Sequence, residues 1–114
     1  MTDDKVALLL STADSMIRDA LHIHEAPEWP SDIYDRCGAA VDLLAKLREV
    51  ATRLEHLAER APAMWDLGSD DHMPASAHLN AARSALLRAT GEIDDAYRLA
   101  SDAFSALSHV KVVG

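Results

Sequence analysis

The sequence predicts an all-α fold, an antiparallel up-down-up three-helix bundle that forms a single domain over residues 1–114. Three observations support this prediction. All four prolines fall in two short windows, at residues 27–30 and 62–74, and proline interrupts helices. The segments between these windows repeat apolar residues every three or four positions, which is typical of a helix with a packing seam. Alanine and leucine supply most of the apolar residues, and both favour helices over strands.

The proline windows divide the chain into predicted helices at about residues 3–24, 31–61 and 75–109. The seam of the first helix comprises Val6, Leu9, Ala13, Met16, Ala20 and Ile23. The seam of the second helix comprises Ile33, Cys37, Ala40, Leu44, Leu47, Ala51, Leu54, Ala58 and Ala61. The seam of the third comprises Leu79, Ala82, Leu86, Ala89, Ile93, Ala96, Ala100, Ala103, Leu107 and Val110. Seams of this length predict coiled-coil-like heptad packing between the helices.

The helix ends carry capping signals. Thr2 and Ser31 are predicted to cap the first two helices, because their hydroxyls can accept hydrogen bonds from backbone N–H groups of the first turn. Gly91 lies inside the third segment, but the apolar phase continues across it. We therefore expect the third helix to pass through Gly91 without a break.

The two tryptophans lie in the two connections, and we expect each to cover one end of the bundle. Trp29 is predicted to fold over one end, and Trp65, with Met64 and Leu67, over the opposite end. Seams rich in alanine leave a narrow core that is open at its ends, and a tryptophan covers more area there than most side chains.

Composition limits the classes of function. The net charge of −8 argues against direct binding to nucleic acids and to membrane surfaces, which needs clustered Lys and Arg. The longest apolar run, at residues 6–10, is far too short to span a membrane. Cys37 is the single cysteine and is expected to be a buried, unreactive thiol. These features predict a cytoplasmic protein, and the preference for Arg over Lys suits a bacterial genome rich in GC.

Residues that could carry chemistry are few, and no catalytic, cofactor-binding or metal-binding residue is assigned. His22 and His24 project about 200° apart on a helix, which does not suit a shared metal ion. An oxygen–nitrogen ligand set is conceivable in the second connection, where the candidates are Asp70, Asp71, His72 and His78. No cofactor is predicted.

Arg18 and His24 are separated by five residues, and Asp19 follows the arginine. This spacing is similar to the Arg-x(4–6)-His signature of the HEPN ribonucleases, a family that is also small and helical. The resemblance covers seven residues and implies an RNA-cleaving pair. In that family the motif lies in a late helix, whereas here it lies at the end of the first.

Several large apolar residues fall outside the seams or in the second connection, and they form the candidate interaction surface. They are Leu8, Leu21, Met64, Trp65, Leu67, Met73 and Leu87. The first helix, at roughly 33 Å, is also shorter than the hairpin of the other two, at roughly 45–50 Å, and cannot cover it completely. Both features predict a small acidic, non-catalytic protein–protein interaction module.

Two forms of that module are predicted. It self-associates, with a homodimer favoured, or it docks on a larger protein as an accessory subunit. The acidic charge leaves open an inhibitor or antitoxin-like protein that occupies a basic groove of a nucleic-acid enzyme. A HEPN-like ribonuclease or a metal-binding protein is the third alternative.

Overall fold

The structure, a computed structural model, describes residues 4–113. It contains three helices, α1 (Lys5–Leu21), α2 (Pro30–Met64) and α3 (Ala75–Leu107), and no strand occurs in the described part of the chain. The all-α fold with three helices is therefore confirmed. The predicted helix ends differ from the observed ones by three residues or fewer.

The first helix begins at a carboxylate cap and ends earlier than predicted. Asp4 Oδ1 accepts a hydrogen bond of 2.8 Å from the backbone N–H of Ala7. The predicted cap, Thr2, lies outside the described residues. At the other end, the backbone N–H groups of His22 and Ile23 bond to carbonyls three residues back, which tightens the last turn and ends the helix. His24 therefore lies beyond α1 rather than in its last turn.

The second helix begins at Pro30 in its first position, which suits proline because the N–H that it lacks would have no partner there. The prediction that Ser31 caps this helix is wrong. Trp29 is the N-cap residue, and its backbone N–H donates to the Asp32 carboxylate over 3.0 Å. The helix also continues through Pro62 to Met64, since proline removes only its own hydrogen bond and the ladder resumes beyond it.

Helices α2 and α3 pack against each other as an antiparallel hairpin. The rings of Tyr34 and Phe104 stack with centroids 4.2 Å apart, near the start of α2 and the end of α3. Gly38 permits this approach, because a Cβ atom there would lie 2.8 Å from Phe104 Cε1. Cys37 is half-buried nearby, with its Sγ 3.9 Å from the Ala100 carbonyl oxygen. The third helix passes unbroken through its one glycine, as predicted.

Helix α1 stands apart from this hairpin. No described Cα atom of α1 lies within 8 Å of a Cα atom of α2 or α3. Val6 and Leu10, near the start of α1, flank the second half of α2, an arrangement that fits the up-down-up order. Coiled-coil packing of the α1 seam is not confirmed, since none of its large apolar side chains is buried within the chain.

The molecule is consequently long and thin, with extents of 68 × 29 × 21 Å. Its radius of gyration is 19.3 Å, whereas a compact chain of this length has one of about 13 Å. Within residues 4–113, no helix is both long enough and apolar enough to cross a membrane.

Candidate interaction surface

The centre of the α2–α3 seam contains charged side chains. Glu55 is only 5% exposed, and Arg83 Nε donates to its Oε1 over 3.1 Å. Seven residues earlier in α2, Arg48 forms an ion pair with Asp94. Its guanidinium group also lies over the ring of Tyr97, 5.0 Å from the ring centroid. Buried charges are tolerated only when they are paired, so these contacts determine which residues of the two helices lie opposite each other.

The large apolar side chains lie mainly outside that seam. Among the described residues no large side chain is completely buried, although leucine, isoleucine and valine are normally the most buried residues of a folded domain. The prediction that Leu47 and Leu54 belong to the packing seam of α2 is wrong. They precede Arg48 and Glu55, which contact α3, by one position each, and this places them about 100° around the helix from the face that meets α3. The exposed large apolar residues of α2 are Ile33, Leu47, Leu54, Leu57 and Met64. Those of α1 are Val6, Leu8, Leu9, Leu10, Met16, Ile17 and Leu21.

A groove of about 500 Å³ lies between α1 and α2, and we call it the α1–α2 groove. Its apolar lining comprises Val6, Leu10, Val50, Leu54 and Leu57. Its charged and polar rim comprises Lys46, Glu49, Arg53, His56 and Arg60, with a formal charge of +2 when the histidine is neutral. The groove therefore combines an apolar floor with a cationic edge, although the chain as a whole is acidic.

Two of the rim cations, Arg53 and Arg60, make polar contacts within α2. Arg53 Nη2 donates to Glu49 Oε1 over 2.8 Å, and Arg60 Nε donates to the His56 carbonyl over 3.4 Å. Among residues 4–113, no ion pair joins α1 to the rim.

The seven residues of the predicted interaction surface are all exposed. They do not form one patch. Leu8 and Leu21 lie on α1 and Leu87 lies on α3, while Trp65 and Leu67 line a second hollow, of about 330 Å³, beside the start of α3. The role of these residues in binding stays a prediction.

The prediction that the tryptophans close the ends of the bundle is wrong. Trp29 is 58% exposed and Trp65 is 59% exposed. Each is the residue that flanks a terminus of α2 and has extended backbone angles, so the chain leaves the helix there and the ring projects outwards. Met64 and Leu67 are also exposed.

The second connection contains a small polar cluster centred on Asp71. Its carboxylate oxygens lie 2.9 and 3.0 Å from His78 Nε2, and it accepts hydrogen bonds from the Ser69 hydroxyl and the Met73 backbone N–H. His78 and then Ser69 and Met73 lower the pKa of Asp71 below its ordinary value of 3.8. Two of the four candidate metal ligands are thus together, but the described residues contain no group of three or more side chains suited to hold a metal ion.

The candidate ribonuclease pair is divided between a helix and a loop. Arg18 Nη2 donates to Asp14 Oδ2 over 3.0 Å, one turn earlier in α1, whereas His24 lies beyond the helix end. The two residues therefore do not lie together on one helix.

Sequence reasoning missed the α1–α2 groove and the buried pair of Glu55 and Arg83. A signal for the pair was present, since Glu55 continues the seven-residue repeat of Val41 and Arg48 and so had to face α3. No protein-family model matches the sequence, and no curated protein or solved structure is significantly similar to it.

Proposed function

We propose that this chain is a non-catalytic protein–protein interaction module that self-associates, with a homodimer as its simplest form. The observation that carries the proposal is the extent of its surface. The isolated chain exposes 9121 Å², whereas a folded monomer of 12.4 kDa exposes about 6,100 Å². The difference, about 3,000 Å², exceeds the roughly 1,000–2,500 Å² that each subunit buries in an obligate homodimer.

The chemistry of that surface supports the proposal. Each leucine or methionine that moves from water into an interface contributes about 1.5–3 kcal/mol. The exposed apolar residues of α1 and α2 lie on continuous helical faces rather than singly, and such patches mark interfaces. Docking on a larger protein would use the same faces. An acidic inhibitor that occupies a basic groove of another protein is less well supported, because the rim of the α1–α2 groove is itself cationic.

Sedimentation equilibrium over a wide range of concentrations tests the proposal, since it measures mass independently of shape. We expect a dimer that dissociates on dilution and a melting temperature that rises with protein concentration by mass action. Replacing Leu54 and Leu57 with serine should shift the chain to monomer. The control is Leu99→Ser, which changes a more exposed leucine on α3, outside the predicted interaction surface and the α1–α2 groove, and should leave the mass unchanged. A chain that remains monomeric at every concentration would contradict self-association.

A further inference from the structure

We propose that the α1–α2 groove binds helix α1 of a second copy of the chain. In the resulting dimer, a two-fold axis relates the subunits and each α1 lies in the groove of its partner. This inference rests on the proposed function and specifies which surfaces meet.

Helix α1 needs cover that its own chain does not supply. It has 17 residues, and most of the stability of a helix in a protein comes from packing of its apolar face rather than from the helix alone. Leu9 is 62% exposed and Met16 is 67% exposed, although both belong to the seam of the helix. The stability of α1 therefore depends on a further apolar surface.

The separation of α1 from α2 leaves room for another helix. Directly packed helices have axes about 8–10 Å apart, which brings facing Cα atoms close together. Here no Cα atom of α1 lies within 8 Å of a Cα atom of α2, and the α1–α2 groove is the open space between the two helices. Val6 and Leu10 line one wall and Leu54 and Leu57 the other, so an incoming apolar stripe would contact both helices at once.

Charge favours a second copy as the occupant. Residues 1–30 contain six acidic and two basic side chains, which sum to −4, whereas the groove rim sums to +2. Helix α1 itself has two charges of each sign, so the acidic excess of this segment lies in the residues just before and just after the helix. Asp14 lies one residue after Ala13 of the apolar seam, at the edge of the face that would enter the groove. In the symmetric dimer the acidic segment of each copy meets the cationic rim of the other, and this happens twice.

Chemical cross-linking between two different variants tests the arrangement. In a Cys37→Ser background, one preparation carries Val6→Cys and a second carries Leu57→Cys. The two are mixed, equilibrated and treated with a short bismaleimide, so that a product containing both variants reports contact between chains. We expect that product to form in several-fold higher yield than when Leu99→Cys, at an exposed position of α3 outside the predicted interaction surface, replaces Leu57→Cys.

The outcomes separate the two proposals. A dimer by sedimentation equilibrium with equal yields at positions 57 and 99 overturns the groove arrangement and leaves self-association standing. A monomer by sedimentation overturns both. Circular dichroism of each variant before mixing confirms that it is folded.

A charge reversal supplies a second measurement that does not depend on introduced cysteines. Lys46→Glu should weaken the dimer about tenfold at low salt, because it places an acid against the acidic segment of the partner. Arg88→Glu on α3 makes the same change of charge away from the groove and should leave the dissociation constant unchanged. Equal effects of the two reversals would indicate a general charge effect and would overturn the proposal.

Discussion

At the scale of single residues, the main feature is a charged seam between α2 and α3. Glu55 is buried, and its partner Arg83 is about one-third exposed and also lies 3.7 Å from Glu59. Such a pair adds little net stability over well-packed apolar residues, but it makes a shifted alignment of the two helices costly because the carboxylate would lose its partner. The pair therefore specifies alignment more than it strengthens the hairpin.

Removing one partner should cost more than removing both. We expect Arg83→Met to lower the free energy of unfolding by about 3 kcal/mol, because the buried carboxylate loses its arginine and keeps only His56, whose Nε2 lies 3.6 Å from Glu55 Oε2. The double variant Glu55→Met/Arg83→Met should lie within about 1 kcal/mol of the original chain. Urea denaturation at one fixed protein concentration measures both. Arg18→Met, which breaks an exposed pair, is the control and should cost about 0.5 kcal/mol or less. A double variant as unstable as Arg83→Met would contradict this account.

The cluster at Asp71 predicts a dependence on pH. Its folded-state pKa is lowered, mainly by His78, so its contribution to stability is fully present above the unfolded value of 3.8. That contribution is lost as the pH falls below 3.8 and through the lower folded pKa. The stability difference between the original chain and Asp71→Asn should therefore shrink in this acidic range, as measured by urea denaturation at a series of pH values. The neighbouring Asp70→Asn is the control, and an identical pH profile for the two variants would refute the role of the cluster.

At the scale of elements, the sequence predicted the helices well because their signals are local. Proline positions and the three-and-four apolar repeat depend only on the backbone of each segment. The errors at the helix ends also have local causes. At the start of α2, Asp32 rather than Ser31 accepts the hydrogen bond of a backbone N–H group, that of Trp29. Near the end of that helix, Pro62 removes too few hydrogen bonds to end it.

Two helical glycines allow a matched comparison of alanine substitutions. At Gly91 a Cβ atom would have nothing within 4 Å, so Gly91→Ala should stabilise the chain by about 0.5–1 kcal/mol through helix propensity alone. At Gly38 the same Cβ atom would meet Phe104, whose ring is held by its stack on Tyr34. We expect Gly38→Ala to lower the melting temperature and Gly91→Ala to raise it. Thermal unfolding of both variants at equal concentration tests this, and a stabilised Gly38→Ala would show that Phe104 moves freely.

At the scale of the whole molecule, the sequence could not reveal what the apolar seams contact. A heptad repeat has the same form whether it faces a helix of its own chain or one of another copy. The seam of α1, predicted to be covered within the bundle, is exposed in the single chain, and Leu47 and Leu54 of α2 are exposed with it. The tryptophans illustrate the same limit, since their size predicted burial but only the path of the chain decides where the rings project.

The elongated shape has a consequence for how the molecule diffuses. Its radius of gyration of 19.3 Å is that of a compact protein of about 300 residues. In gel filtration a single chain would therefore elute earlier than a globular standard of its own mass, towards the position of a dimer. Small-angle X-ray scattering distinguishes the two cases. At the same protein concentration, a side-by-side dimer scatters twice the forward intensity of the monomer. Its longest dimension stays close to the 68 Å of one subunit.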